Sequence, residues 1–282
     1  MKSFSPLRYP GGKAKVYDKV INFFVLTNFS SITYVEPFAG GSGLALLLLK
    51  NNKVDNLILN DVDKGIYSFW TSVLKYNAKF IDMIDKVNIS IEEREKQIYI
   101  YAQKDKLDIN NKENILSLGL ATFYLNRVNR SGILKAGVIG GKNQNGNYKM
   151  DCRFNKENLI KKIKEIYSYK DRIEFHNKDV LDFIDYLSNK NKEKTFIFFD
   201  PPYYKKGSEL YTNYFIHDDH VKLARKIESI ESNWIVTYDN CDEIKKIYCN
   251  YDIKEFDINY TLENKIKTKE IVVFSKNLKS KF

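Results

Sequence analysis

Covalent bracing is scarce in this 282-residue chain. Its three cysteines (Cys152, Cys241 and Cys249) form no CxxC pair, and an odd number argues against a disulfide framework, so they read as reduced thiols of an intracellular protein. Long apolar runs are missing as well. Leu44 to Leu49 is the longest aliphatic stretch, far short of the ~20 residues a membrane-spanning helix needs. The opening Met1-Lys-Ser-Phe-Ser-Pro has no apolar signal core. These absences lead us to expect a soluble, cytoplasmic protein with no membrane partner. Histidine is rare too. His217 and His220 stand around Asp218 and Asp219, but no ligand set of metal-binding spacing accompanies them, so no metal is expected. The two aspartates read as the first turn of a helix, where they complement its dipole. Trp234, one of only two tryptophans, reads as core.

Two familiar nucleotide signatures also fail. Tyr9-Pro10-Gly11-Gly12-Lys13 lacks the earlier glycine of a phosphate-binding P-loop, and Ala14 stands where Ser or Thr would follow the lysine. Kinase or ATPase chemistry is thereby disfavoured. Gly41-x-Gly43 is followed three residues on by Leu46 rather than Gly or Ala, which breaks the dinucleotide fingerprint.

What is present is a concentration of positive charge. The chain carries +10 overall. From Arg127 to Lys170 stand eleven Lys or Arg against three acids, so that stretch holds +8 of the total. A clustered basic surface fits a polyanionic partner; the bland alternative is a solvated lysine-rich face.

Short apolar runs place the strands. Ile32–Val35 ends at Glu36-Pro37 and a glycine turn; Leu44–Leu49 then starts a helix, and Leu57-Ile58-Leu59 ends at Asn60-Asp61. Strand, glycine turn, helix, strand and acid make the opening of a βαβ unit. Between about 62 and 170 apolar residues recur at helical spacing, as in Ile66, Phe69, Trp70, Val73 and Leu74. A polar segment from Gly140 to Asn147 follows, and its Asn145-Gly146 pair predicts a β-hairpin. Strand patterns return at Ile173–Phe175 before Asp179, at Thr195–Phe199 before Asp200, at Trp234–Tyr238 before Asp239, and at Glu270–Phe274. The expectation is an α/β sheet, formed by 1–61 and 171–282, interrupted by a mostly helical, basic insertion over 62–170.

The strongest chemical signal is Phe198-Phe199-Asp200-Pro201-Pro202-Tyr203. A buried strand ends in a carboxylate, two prolines and an aromatic ring, at the strand end where α/β sheets bind ligands. Proline fixes φ and lacks an N–H, giving a stiff turn with carbonyls free to accept. The Asp200 carboxylate and Pro201 carbonyl suit the two hydrogens of an exocyclic amine such as adenine N6, and Tyr203 offers a face to an extruded base. The second signal, Glu36-Pro-Phe38-Ala-Gly40-Gly41-Ser-Gly43, is a glycine turn with Asp61 eighteen residues past Gly43, the spacing of an acid that binds ribose hydroxyls. A cofactor without pyrophosphate, such as S-adenosylmethionine, does not need the missing third glycine.

Taken in order, Pro-Gly-Gly-Lys, Glu-Pro-Phe-Ala-Gly-Gly-Ser-Gly, Asn60-Asp61, a basic insertion and Asp-Pro-Pro-Tyr resemble the D12-class, Dam-like, alpha-group family of adenine-N6 DNA methyltransferases over almost the whole chain. The resemblance implies a Rossmann-like, S-adenosylmethionine-dependent methyltransferase domain with an inserted DNA-recognition domain. It implies that Tyr9, Lys13, Glu36, Phe38, Gly40, Gly41, Gly43, Asp61 and, near the cofactor adenine, Asp179 bind the cofactor. Asp200, Pro201, Pro202 and Tyr203 would be catalytic. The insertion, with Asn126-Arg127-Val-Asn129-Arg130-Ser-Gly132, would bind double-stranded DNA through Arg127, Asn129, Arg130, Lys135, Lys142, Asn145, Lys149 and Arg153. Tyr9 stands where some members carry tryptophan, and no base contact maps onto the insertion, which leaves the GATC target in doubt. The implied reaction is direct attack of N6 on the methyl group by a monomer, with no covalent intermediate, since no Pro-Cys pair is present. Two rivals stay open at this point. One is an RNA or protein methyltransferase on the same core, for which Asn in place of Asp200 is more usual. The other is a DNA-binding regulator on an inactive methyltransferase fold.

Overall fold

The computed structural model describes residues 4–8, 20–21, 24, 31–205, 207, 214–261 and 265–278, with backbone alone for 257–261 and 265–268. In chain order the elements are β1 (Thr33–Glu36), α1 (Gly43–Lys50), β2 (Asn56–Asn60), α2 (Lys64–Lys75), α3 (Asn77–Lys86), α4 (Ile91–Ala102), α5 (Lys112–Val128), α6 (Lys156–Tyr167), β3 (Ile173–His176), α7 (Val180–Leu187), β4 (Thr195–Phe199), α8 (His217–Glu228), β5 (Asn233–Asp239), α9 (Asp242–Ile247), β6 (Asp252–Thr261) and β7 (Lys265–Phe274). None of the helices among the described residues is long and apolar enough to cross a membrane. The chain divides into two compact units, cut between Asp61 and Val62 and between Asn177 and Lys178, with the segment containing residues 4–8 grouped in the second unit.

The first unit carries six strands of the seven-stranded sheet, in the order β2-β1-β4-β5-β7-β6. β1, β2, β4 and β5 run parallel, whereas β7 and β6 are antiparallel. The central strand β4, Thr-Phe-Ile-Phe-Phe, is buried at every position, as a parallel strand covered on both faces requires. Helix α1 likewise buries Leu44 to Leu49 without interruption, so it sits in the core rather than at the surface. Trp234 is 2% exposed and packs with Ile197, Phe199, Phe183 and Leu223. From β1 the chain continues to β2 on one side, while β4 lies on the other. In open α/β sheets such a reversal, here at the carboxyl ends of β1 and β4, is where ligands bind.

The second unit is mostly helical. Asp63 caps α2 by accepting from the amides of Gly65 (2.7 Å) and Ile66 (3.3 Å), and it also receives the Tyr101 hydroxyl (2.9 Å) and the Lys104 ammonium. Phe69, Phe80, Phe123 and Phe154 form its aromatic core, with Phe69 stacked on Phe123 at 5.7 Å. Phe175 of β3 packs on Tyr67 and Trp70 of α2, which accounts for the second cut falling after β3.

The expected β-hairpin over 140–148 is not formed; the segment is a series of turns. Gly140, Gly141 and Gln144 all have positive φ, a conformation that ends strand pairing. The Gln144 side chain, not a facing strand, takes up the local backbone groups.

At Gly119 on α5 a Cβ would lie 2.8 Å from the Ser68 carbonyl and 2.6 Å from the Ser72 hydroxyl. Backbone on α2 cannot yield cheaply, so Gly119→Ala should destabilise the protein by about 1–3 kcal/mol. Urea denaturation of the two forms measures the difference.

Candidate active site

The glycine turn after β1 is held by the end of β2. Gly40 (φ 46°) and Ser42 (φ 47°) adopt the left-handed conformation, which glycine tolerates without cost and Ser42 does not. The Gly40 amide donates to Asp61 Oδ2 at 2.9 Å, and the Ala39 amide to the Asn60 carbonyl at 2.8 Å. Asn60, 1% exposed, ties three segments together: its Nδ2 donates to the carbonyls of Pro37 and Lys178, both at 3.1 Å, and its Oδ1 accepts from the Lys178 amide at 2.9 Å. This brings Asp179 beside the turn. Asp179 is exposed and caps α7 through the Leu181 amide at 2.9 Å.

Glu36 closes β1 and is buried, accepting from the Tyr34 hydroxyl at 3.2 Å. Burial raises its pKa to about 8; the Tyr34 hydrogen bond opposes the shift and the negative charge of Asp200 adds to it. Its carboxyl is therefore mostly protonated at neutral pH. Phe38 is half-buried and meets Phe215 edge-on at 5.9 Å.

Asp200 follows the last residue of β4 and is partly exposed; Thr237 Oγ1 donates to its Oδ1 at 2.8 Å. The prolines Pro201 and Pro202 are buried. Tyr203 is 5% exposed and its hydroxyl donates to Glu270 Oε1, so most of the ring that sequence offers as a stacking face is covered. The next two amides, of Tyr204 and Lys205, donate to the two oxygens of Asp239 at 2.8 and 3.0 Å. Sequence gave no role to Thr237, Asp239, Glu270 or Asn60. A usable signal existed for Asp239, an acid closing a buried strand in the same pattern as Asp200. Tyr9 and Lys13 lie outside the described residues. His217 and His220 face Tyr204 and Tyr238 through their Nδ1 atoms, each at 3.0 Å. Among the described residues no group of three His, Cys, Asp or Glu could hold a metal.

In the second unit the eight basic-region residues separate into two groups. Arg130, Lys135, Lys142, Asn145, Lys149 and Arg153 are exposed. Arg127 and Asn129 are engaged internally. Arg127 donates through Nε and Nη2 to the Arg153 carbonyl and through Nη1 to the Pro6 carbonyl at 3.3 Å. Burial, with Arg8 and Arg153 nearby, lowers its pKa to about 10. Asn129 is fully buried, accepting from Arg94 Nε at 2.8 Å and donating to the Leu134 carbonyl at 2.8 Å.

A mostly parallel sheet with a glycine turn and an acid at its reversal point, and a stiff carboxylate turn one strand away, has the form of a site for a nucleoside-bearing cofactor. The family described as D12 class N6 adenine-specific DNA methyltransferase matches residues 9–262. Two curated relatives align over nearly their full length. The Type II methyltransferase M.MjaIII of Methanocaldococcus jannaschii is 24% identical over 88% of this chain and 89% of its own. The Type II methyltransferase M.CviBI of Paramecium bursaria Chlorella virus NC1A is 23% identical over 90% of each. Among solved structures, a SAM-dependent methyltransferase from Agrobacterium tumefaciens overlaps with a TM-score of 0.39 at 9% identity, covering 93% of this chain and 61% of that one. The chain belongs to the D12 class of N6 adenine-specific DNA methyltransferases. It methylates adenine N6 at specific sites in DNA, with S-adenosylmethionine as cofactor.

The residues present fit that cofactor. The Asp61 carboxylate stands at a strand end against the turn, as ribose hydroxyls require. A Cβ at Gly43 would meet no described atom within 4 Å.

The Glu36 shift carries a sign. Between about 4.5 and about 8 the folded protein binds more protons at Glu36 than the unfolded chain does, so this residue's contribution to stability falls as pH rises through that window. Denaturation midpoints across pH should therefore fall less steeply for Glu36→Gln than for wild type. Parallel pH profiles would refute a buried, proton-retaining Glu36.

Proposed function

We propose that Asp200 and the Pro201 carbonyl hold the amino group of an adenine extruded from double-stranded DNA, with Pro202 stiffening the turn and Tyr203 bordering the base. Adenine N6 is a weak nucleophile because its lone pair is conjugated into the ring. Two acceptors on its hydrogens favour a pyramidal amine, and the carboxylate stabilises the positive charge that develops on nitrogen. When bound, the cofactor supplies an electrophilic methyl group on sulfonium sulfur. Glu36, Phe38, Gly40, Gly41, Gly43, Asp61 and Asp179 would hold it, with Tyr9 and Lys13. The observation that carries this reading is the Thr237–Asp200 hydrogen bond of 2.8 Å at the end of a parallel strand next to β1. It fixes one carboxylate oxygen and orients the other.

The exposed Arg130, Lys135, Lys142, Asn145, Lys149 and Arg153 would meet DNA phosphates or base edges. Arg127 and Asn129 would hold the local backbone. The reading extends to a cytoplasmic monomer, and the Type II names of both relatives support a role in restriction–modification.

Unmodified duplex DNA and RNA, each incubated with radiolabelled S-adenosylmethionine, form the test. Wild type should label DNA alone, and Asp200→Ala should lose on the order of 10²–10³ in kcat while keeping DNA affinity. Equal transfer by both proteins would refute the role of Asp200, and label in RNA would refute the substrate.

A further inference from the structure

Asp200 stands at the end of β4, and the two residues after it are prolines. A proline ring fixes φ but removes the N–H. Pro201 and Pro202 therefore stiffen the turn without supplying a donor by which the sheet can hold it. A stiff turn can still pivot about its ends. Whatever locates Asp200 must grip the chain on either side of the prolines.

Strand β5 does both. Residues two apart on a strand share a face, and β5 divides accordingly. Trp234, Val236 and Tyr238 enter the hydrophobic core, while Thr237 and Asp239 belong to the opposite face. Phe199 pairs with Val236 in the β4–β5 register, which sets Asp200 level with Thr237. Before the prolines, Thr237 Oγ1 donates to Asp200 Oδ1 at 2.8 Å. After them, Asp239 accepts the Tyr204 amide on Oδ1 at 2.8 Å and the Lys205 amide on Oδ2 at 3.0 Å. Both are charge-assisted hydrogen bonds, the stronger kind. Tyr204 is also held by its side chain: the hydroxyl meets His217 Nδ1 at 3.0 Å, and the ring lies 5.1 Å from that of His220. With each oxygen engaged by a backbone amide, Asp239 has the geometry of a brace.

We propose that Asp239 is a positioning residue for methyl transfer. It acts through the turn alone and sets the place of the Asp200 carboxylate; with Thr237 it makes a two-point mount on one face of β5. The inference rests on the DNA-methylating function given above, and adds to it a residue that touches neither the base nor the cofactor.

The test compares wild type, Asp239→Asn, Asp239→Ala and, as a control for lost stability, Gly119→Ala. Each full-length protein is given radiolabelled S-adenosylmethionine and genomic DNA from a methylation-deficient bacterial host, at a temperature where circular dichroism finds all four folded. Misplacing a reacting group by about 1 Å can cost about 10²-fold in rate, so Asp239→Ala should lower kcat on that scale with KM for DNA and for cofactor unchanged. The carboxamide of Asp239→Asn keeps one acceptor and turns an N–H group toward the second amide. Its kcat should fall about ten-fold, the scale of one hydrogen bond to a charged group. Gly119→Ala should match wild type in kcat. Equal kcat in wild type and Asp239→Ala overturns the proposal. So does a raised KM for S-adenosylmethionine with kcat intact, because that makes Asp239 a cofactor ligand. A loss in Gly119→Ala as large as in Asp239→Ala also overturns it, since lost stability then suffices. Should Asp239→Ala fail to fold, the nearly isosteric Asp239→Asn decides alone, and wild-type kcat there counts against the proposal. Absence of label from DNA treated with wild type overturns the methylating function itself, and the proposal with it.

Discussion

The turn after β4 is held from one side, by β5 and β7. Asp239 takes the amides of Tyr204 and Lys205, Thr237 binds Asp200, and Glu270 receives the Tyr203 hydroxyl. Asp239 and Glu270 are partners across the β5–β7 ladder, so two adjacent acids each grip a different part of one turn. This arrangement needs β7 to run antiparallel. Reversing it brings Glu270, from within β7, level with the carboxyl end of β5, beside the turn that carries Asp200. The prolines restrict the turn from within, and the strand-borne groups restrict it from below. Between them Asp200 has little conformational freedom, which is the form preorganisation would take in the role proposed for it.

The other end of the candidate site depends on Asn60. A single buried amide satisfies backbone groups from the turn after β1 and from the segment before α7. Loops at a strand end otherwise carry orphaned donors and acceptors. Here they are joined through a side chain, and the acids Asp61 and Asp179 are carried by the joined segments. Glu36 beside them is handled differently: it is buried, and burial raises its pKa to about 8, so this acid does not hold a full charge at neutral pH.

The parallel strands were legible because burial on both faces writes itself as an uninterrupted apolar run, as in Thr195–Phe199, with an acid wherever the strand emerges. Strand β6 was not legible: Asp252, Lys254 and Glu255 alternate unevenly with Ile253 and Phe256, as suits the edge of the sheet. The Asn145-Gly146 pair suggested a hairpin because local turn chemistry was read without the Gln144 amide, a competitor for the same backbone groups that sequence spacing does not reveal. The positions of the glycine turn, Asp61 and Asp200 were readable from motifs. Their supports Thr237 and Glu270 were not, since each looks like an ordinary strand residue until the sheet order makes it a neighbour; Asp239 closes its strand as Asp200 does, but the pattern does not reveal the amides it holds.

The internal commitments of the basic stretch change what its charge means. Arg127, Lys156 and Lys162 each donate to a backbone carbonyl of their own unit. A cation fixed in this way is poorly placed to displace a condensed counterion from a polyanion, so the ionic-strength sensitivity of association is set by fewer groups than the formal charge of the segment counts. Each phosphate contact given up in this way would let an enzyme searching DNA leave an unproductive stretch sooner and resume its search.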